Sequence, residues 1–244
     1  MLLNKDKTTL IAYAVPKTTY TIPATVTTIG EYAFEYCTSL TEITIPGTVQ
    51  TIESYAFAGC SNLADANIPQ GITVLNSGLF AATGLTTIAI PDSVQEICSA
   101  VFSGCEKLET VVFDGEPKVI TIGDNAFSNC TSLRTIELPS SVTWLTDGAF
   151  AGSGLTKIRI PETMLTLSGY VFDSCADLDT VIFEGKLNEL GMGVFYGCDN
   201  LKSIRFMGDA PDYINDYAFE GLYDTVVYYP GENETWTEDK LLDY

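Results

Sequence analysis

Histidine is absent from this 244-residue chain. Its absence removes the commonest general base and the commonest transition-metal ligand of proteins. The sequence also has no G-x-S-x-G elbow, no phosphate-binding loop and no Cys-x-x-Cys metal motif. A pair of carboxylates could hydrolyse a glycoside without histidine, but nothing in the sequence indicates that two of them converge. We therefore expect that the protein is not an enzyme and that it holds no cofactor or metal.

Cationic residues are scarce as well. The chain has 12 lysines and arginines against 32 acidic residues, which gives a formal net charge of −20. Such a field repels the phosphates of nucleic acids and the headgroups of anionic lipids. No apolar run approaches the ~18 residues that a membrane-spanning helix needs, and no apolar signal segment follows Met1. We expect no nucleic-acid partner, no direct membrane insertion and no export signal within this chain.

What the sequence does contain is a repeat of 22 to 25 residues. Its clearest marker is a phenylalanine that recurs nine times: Phe34, Phe57, Phe80, Phe102, Phe127, Phe150, Phe172, Phe195 and Phe219. In six repeats a cysteine follows the phenylalanine by three positions, and a leucine follows the cysteine by three. A short alternating run comes next, such as Ile43-Thr44-Ile45, and a proline usually ends it. A fixed period of this length indicates a solenoid, in which stacked coils bury a continuous core.

Each part of the repeat has a structural interpretation. The alternating run predicts a short strand with one buried face. The stretch around Val49 and Ile52 predicts a return along the far side of the coil. The segment from Ala56 to Cys60 fits one helical or 3₁₀ turn, with Phe57 and Cys60 on its inner side. Stacked coils would then bury leucine, isoleucine, phenylalanine and cysteine in columns.

The full pattern resembles a known family. It reads Ile-Pro-x-x-Val-x-x-Ile-x-x-x-Ala-Phe-x-x-Cys-x-x-Leu and runs from Ile22 through Phe34 and Cys37 to Leu40. This is similar to the BspA-like (Treponema-type) leucine-rich-repeat family of bacterial surface proteins, and the resemblance covers about residues 8–230. It implies an α/β repeat: a right-handed leucine-rich-repeat solenoid with a parallel sheet on its concave face and short helical or 3₁₀ turns opposite.

The resemblance also implies a location and a function. Members are extracellular or cell-surface proteins linked to adhesion, so we expect a binding module whose partner is a host matrix protein or a bacterial surface protein. The repeat register predicts one solenoid domain over residues 1–244. Within it we expect an N-terminal edge coil over 1–22, repeats over 23–225 and a C-terminal cap over 226–244, because terminal coils need a polar outer face.

The seven cysteines allow two interpretations. Six lie one repeat apart on an inner column, which favours reduced, buried thiols that fill space. Neighbouring coils are also close enough for disulfides. The alternative therefore pairs Cys37 with Cys60, Cys105 with Cys130, and Cys175 with Cys198.

Candidate ligand-binding residues come from the strand register. The position between the two buried residues of each strand should face outward; in order it is Thr44, Asn67, Ala89, Val112, Glu137, Arg159, Ile182, Arg205 and Val227. All three arginines of the chain and two lysines fall on the outward strand positions of repeats five to eight. We define this set as the cationic strip: Arg134, Lys157, Arg159, Lys202 and Arg205.

Three uses of this face remain open. The favoured one is docking of a protein partner. The second is recognition of an acidic glycan or another anionic ligand by Arg134, Arg159 and Arg205, since arginine pairs bidentately with carboxylates. The third is a structural spacer, in which the charges simply pair across the sheet, as Glu137 would with Arg159. Elsewhere, Asp209, Asp212, Asn215 and Asp216 could supply oxygens to calcium, although an acidic loop in solvent is the simpler interpretation.

Overall fold

The computed structural model describes residues 1–237. Over this range the chain forms a parallel-strand solenoid of about ten coils with 20 short strands. The strands are β1 (Leu2–Leu3), β2 (Thr9–Ala12), β3 (Thr19–Thr21), β4 (Thr28–Ile29), β5 (Glu42–Thr44), β6 (Thr51–Ile52), β7 (Asp65–Ala66), β8 (Val74–Leu75), β9 (Thr87–Ile90), β10 (Glu96–Ile97), β11 (Thr110–Phe113), β12 (Thr121–Ile122), β13 (Trp144–Leu145), β14 (Lys157–Ile160), β15 (Thr166–Leu167), β16 (Thr180–Phe183), β17 (Glu189–Leu190), β18 (Ser203–Phe206), β19 (Tyr213–Ile214) and β20 (Val226–Tyr228).

The strands form two sets on opposite sides of the coils. The front strands are β3, β5, β7, β9, β11, β14, β16, β18 and β20, and their outward side chains make up what we call the front face. The back strands are β4, β6, β8, β10, β12, β13, β15, β17 and β19, with β1 and β2 at the N-terminal end. All neighbours pair in parallel except β1 and β2. This arrangement confirms the predicted parallel strands and the return along the far side.

The expected helical or 3₁₀ turns are wrong: none of residues 1–237 lies in a helix. The turn around each of the first eight repeat phenylalanines carries two residues with positive φ, one two positions before it and one two positions after, as with Tyr55 (57°) and Gly59 (71°) around Phe57. A left-handed residue breaks a right-handed helix. The N–H of Phe57 therefore donates to the carbonyl of Leu79 in the next coil at 3.0 Å, while that of Ala58 donates back to Tyr55 at 3.1 Å.

The core consists of the predicted columns. The first eight repeat phenylalanines are fully buried, and successive ring centroids lie 5.0 to 5.9 Å apart. The ninth, Phe219, is half-buried at the end of the stack, 6.2 Å from Phe195. Stacked rings at this spacing fix the distance between coils. One coil therefore cannot shift without disturbing both neighbours.

Aromatic side chains cover both ends of the solenoid. At the N-terminal end Tyr13 stands 4.8 Å from Phe34 and continues the phenylalanine column. At the other end Trp236 packs 4.9 Å from Phe206, and its indole N–H donates to the carbonyl of Gly208. β20 and Trp236 lie within residues 226–244, the range for which the sequence predicts a cap. Residues 238–244 of that range lie outside the described residues.

Candidate binding face

The structure places the cationic strip along the C-terminal half of the front face. Lys157 and Arg159 alternate on β14, and Arg205 lies on β18 with Lys202 just before that strand. Arg134 precedes the front segment of the neighbouring coil. All five side chains are exposed. The strands bring Lys157, Arg159 and Arg205 to one surface because every second residue of a strand points the same way.

Two of the three arginines already have carboxylate partners. Arg134 forms an ion pair with Asp177, and Arg159 binds Glu184 at 2.9 Å. Both carboxylates belong to loops that flank the strands of a following coil, and both pairs are exposed to solvent. The expected pair between Glu137 and Arg159 is wrong, since Arg159 turns towards the loop after β16. Exposed pairs of this kind contribute about 0–1 kcal/mol to stability.

Arg205 has an aromatic partner instead. In the ladder Arg159 pairs with Ile182, Ile182 with Arg205, and Arg205 with Tyr228. The Arg205 guanidinium lies 4.6 Å from the centre of the exposed Tyr228 ring. The outward residue of the last strand is therefore Tyr228 and not Val227, which packs half-buried against the core. The sequence register was one residue off because the alternation of Val226, Val227 and Tyr228 has no polar member to mark the outer side.

The remaining cations are free to bind. No ion pair within residues 1–237 involves Lys157, Lys202 or Arg205. Ile182 lies between Arg159 and Arg205 in the ladder and is 8% exposed. The surface thus combines an apolar floor, an arginine stacked on a tyrosine, and lysines at the edge. Arginine and tyrosine are among the residues enriched at the energetic hot spots of protein interfaces.

The sequence did not predict an opening in the front ladder. Residues 135–138 alternate like a strand, yet β11 pairs only with β9, and β14 only with β16. The backbone groups of residues 135–138 form no hydrogen bond with any described residue. Two open clefts result, of about 500 Å³ between β11 and this segment and about 420 Å³ between the segment and β14. We call the larger one the front cleft.

The same coil stays attached at its turn and at its back. Phe127 stacks on Phe102 at 5.2 Å and on Phe150 at 5.3 Å, while β13 pairs with β12 and β15. The coils therefore separate only along the front. Two residues more than usual stand between Phe102 and Phe127, and Pro117 from this longer stretch lines the front cleft.

Position 137 offers a physical reason for the opening. Its equivalent three repeats earlier is Asn67, whose side-chain amide donates to the Ile45 carbonyl and accepts from the Ile45 N–H, both at 2.8 Å. That side chain replaces a rung of the ladder. Glu137 carries a carboxylate, which accepts hydrogen bonds but cannot donate to a carbonyl. The bridge that Asn67 forms is therefore not available to Glu137.

The cysteine column is a set of thiols, and all seven cysteines are free. Five of these thiols donate to the phenylalanine carbonyl of the preceding coil, as Cys60 does to Phe34 at 3.0 Å and Cys175 to Phe150 at 3.1 Å, and Cys37 donates to the carbonyl of Tyr13. This geometry contradicts the alternative of disulfides between neighbouring coils. Burial raises the pKa of Cys60 to about 12 and that of Cys175 to about 11. The buried thiols of the column are therefore structural hydrogen-bond donors rather than nucleophiles.

Within residues 1–237 no three acidic or cysteine side chains come together as a metal site. At the calcium candidate, Asp212 pairs with Lys186 and Asp209 accepts from Asn233. The described part of the chain has no helix with the length and hydrophobicity required to cross a bilayer.

Comparisons with known proteins agree with this architecture. The family model described as BspA type Leucine rich repeat region matches residues 12–121 and 113–225 in six copies. Among solved structures, a leucine rich cell surface protein of Faecalibacterium prausnitzii is 27% identical, with a TM-score of 0.68 over 85% of this chain and 70% of that one. The Treponema pallidum leucine rich repeat protein is 26% identical, with a TM-score of 0.55 over 82% and 86%.

One more distant structure shares the fold alone. The pneumococcal vaccine antigen PcpA is 19% identical, with a TM-score of 0.59 over 90% of this chain and 75% of that one. A search of curated proteins finds no match.

Proposed function

Because this chain belongs to the BspA-type leucine-rich-repeat family, we propose that it is a non-catalytic binding or adhesion module. In this proposal it acts at the bacterial surface or in the extracellular medium and recognises a protein partner through its front face. The resemblance to a leucine rich cell surface protein of Faecalibacterium prausnitzii supports the location. Host matrix proteins and surface proteins of other bacteria are the partner classes that fit it.

The observation that carries this proposal is the row of four residues across β14, β16, β18 and β20. Arg159, Ile182, Arg205 and Tyr228 are aligned by the ladder, so cationic, apolar and aromatic side chains meet on one rigid surface. Such mixed composition is typical of protein interfaces, whose centres are rich in tyrosine and arginine. Solenoids commonly use their strand-bearing face for partners.

Recognition of a single anionic ligand by Arg134, Arg159 and Arg205 has less support. Arg134 and Arg159 are already bound to Asp177 and Glu184, so an acidic glycan would have to displace two carboxylates. A protein partner can instead use the free Lys157 and Lys202 and leave those pairs intact. We therefore favour protein docking on the front face, with an acidic segment of the partner near the lysines.

A binding screen tests this proposal. The purified chain is measured by surface plasmon resonance against extracellular-matrix proteins, bacterial surface proteins and acidic polysaccharides, at low and high salt. The test variant carries Lys157→Glu, Lys202→Glu and Arg205→Glu. The control variant carries Lys5→Glu, Lys17→Glu and Lys107→Glu, exposed lysines away from this row, and has the same net charge.

We expect a protein ligand whose affinity falls by about tenfold or more in the test variant and changes little in the control variant. The loss should be mainly electrostatic and shrink at high salt, whereas the contribution of Ile182 and Tyr228 should persist. Binding to polysaccharides alone would favour the anionic ligand. No binding to any member of the panel would contradict the proposal in favour of a structural spacer.

A further inference from the structure

The front cleft exposes two unpaired backbone edges at one of the breaks in the front ladder. β11 has a free edge on this side, and residues 135–138 face it without a hydrogen bond to any described residue. Unpaired N–H and C=O groups in a row are a template for another extended chain. The cleft volume of about 500 Å³ is within the range of ligand sites in proteins.

The charges around the front cleft have one sign. Its lining contains two charged residues, Glu109 and Glu137, and neither forms an ion pair with a described residue. The rest of the lining includes the outward Thr110, Val112 and Thr135. The second cleft differs, because Lys157 and Arg159 stand there beside Glu137 and Glu184. In a protein of net charge −20, the front cleft therefore favours a cationic occupant.

We propose that the front cleft binds an extended, lysine- or arginine-bearing segment of a partner protein by strand addition. The backbone of the segment pairs with β11 and with residues 135–138, and alternate basic side chains reach Glu109 and Glu137. Backbone pairing supplies affinity in this mode, and the side chains supply selectivity. The proposal goes beyond the proposed function, since it concerns another part of the front face and uses backbone groups rather than the cationic strip.

Synthetic peptides test the proposal directly. The probe is a fluorescent peptide of alternating valine and lysine. One control peptide carries N-methyl groups on alternate backbone nitrogens, and another has glutamate in place of lysine. Binding is measured by anisotropy for the wild-type chain, for a double variant with Glu109→Gln and Glu137→Gln, and for the cationic-strip variant with Lys157→Glu, Lys202→Glu and Arg205→Glu.

We expect the lysine peptide to bind and the N-methylated peptide to bind about tenfold more weakly, because two or more backbone hydrogen bonds are lost. The glutamate peptide should bind more weakly still. The double variant should lose affinity for the lysine peptide. It should still bind the protein ligand identified by surface plasmon resonance with unchanged affinity. The cationic-strip variant should show the reverse, so the two proposals fail separately.

Hydrogen exchange locates the bound peptide without any substitution. In the free chain the amides of residues 135–138 should exchange quickly, and the lysine peptide should slow exchange there and at the free edge of β11. Absence of binding by the lysine peptide would overturn the proposal. Equal binding of the N-methylated peptide, or protection confined to other strands, would overturn it as well.

Discussion

At the scale of single residues, the repeated cysteine is a hydrogen-bond donor as well as a space-filling group. The thiols of Cys130 and Cys198 donate to the carbonyls of Phe102 and Phe172 in the same way as those of the other inner cysteines. Two repeats have a hydroxyl in place of this cysteine, and each hydroxyl lies near the next thiol: Thr83 beside Cys105 at 3.2 Å and Ser153 beside Cys175 at 3.4 Å. Small polar residues with one donor therefore satisfy this column, which explains the exchange among cysteine, threonine and serine.

Burial of these thiols predicts a loss of stability at alkaline pH. The ordinary pKa of 9.0 applies to the unfolded chain, whereas the folded pKa is about 12 for Cys60 and about 11 for Cys175. A raised folded pKa stabilises the fold fully below pH 9 and progressively less as pH rises towards the folded value. Each thiol can steepen the fall by about 1.4 kcal/mol per pH unit.

The free energy of unfolding, measured with denaturant between pH 8 and 11, tests this effect. This pH range is chosen because it spans the unfolded pKa and approaches the folded pKa values. A double variant with Cys60→Ser and Cys175→Ser keeps a donor at each site but does not ionise in this range. Its free energy of unfolding should fall less steeply with pH than that of the wild type. Identical slopes for the two proteins would contradict the assignment.

At the scale of elements, the turns depend on glycine where a tyrosine ring of the preceding coil lies close. Gly78 has a φ of +62°, and a Cβ atom there would stand 2.2 Å from the Tyr55 ring. Gly59 has the same relation to Tyr36, at 2.4 Å. At Gly78 and Gly59 the left-handed backbone favours glycine, and the neighbouring tyrosine ring occupies the space that a Cβ atom would need.

Substitution of Gly78 by alanine should destabilise the protein by about 1–3 kcal/mol, from the left-handed conformation and displacement of the Tyr55 ring. Gly47→Ala is the matched control, since nothing lies within 4 Å of its added Cβ. Thermal or chemical unfolding of the two variants measures this difference in the free energy of unfolding. Equal stability of both would show that the tyrosine lid moves aside without cost.

The sequence predicted the elements unequally. The alternation of Ile43, Thr44 and Ile45 and the buried Phe and Cys positions follow from hydrophobicity alone, so strands and columns were correct. The turns were assigned as helical because the spacing of Phe57 and Cys60 fits one helical turn, whereas positive φ at Tyr55 leaves no trace in hydrophobicity. The opening at 135–138 was also missed. Strand pairing depends on the neighbouring coil, and these residues alternate like a strand whether they pair or not.

The candidate binding face was predicted in part for the same reason. The register placed the five residues of the cationic strip on exposed front positions, since alternation determines which side chains face outward. Their partners could not be inferred from the register. Asp177 and Glu184 belong to loops, and long arginine side chains reach beyond the strand opposite them.

At the scale of the whole molecule, stability is divided between each coil and its two neighbours. Phe127 is buried between two rings, whereas Phe219 is half-buried at the end of the column. Phe127→Ala should cost about 3–5 kcal/mol, and Phe219→Ala clearly less. In the Phe127→Ala variant, amide hydrogen exchange should become faster across the adjacent coils. In the Phe219→Ala variant, the faster exchange should be confined to the last coil. An equal cost at both positions would contradict nearest-neighbour coupling.

We propose that a protein partner binds the front face and not the back ladder. The most direct measurement is hydrogen exchange of the chain with and without the partner found by surface plasmon resonance. Proposed docking across β14, β16, β18 and β20 predicts slower exchange in these strands and unchanged exchange in β10, β12, β13 and β15. Protection of the back strands with an unchanged front face would contradict the account.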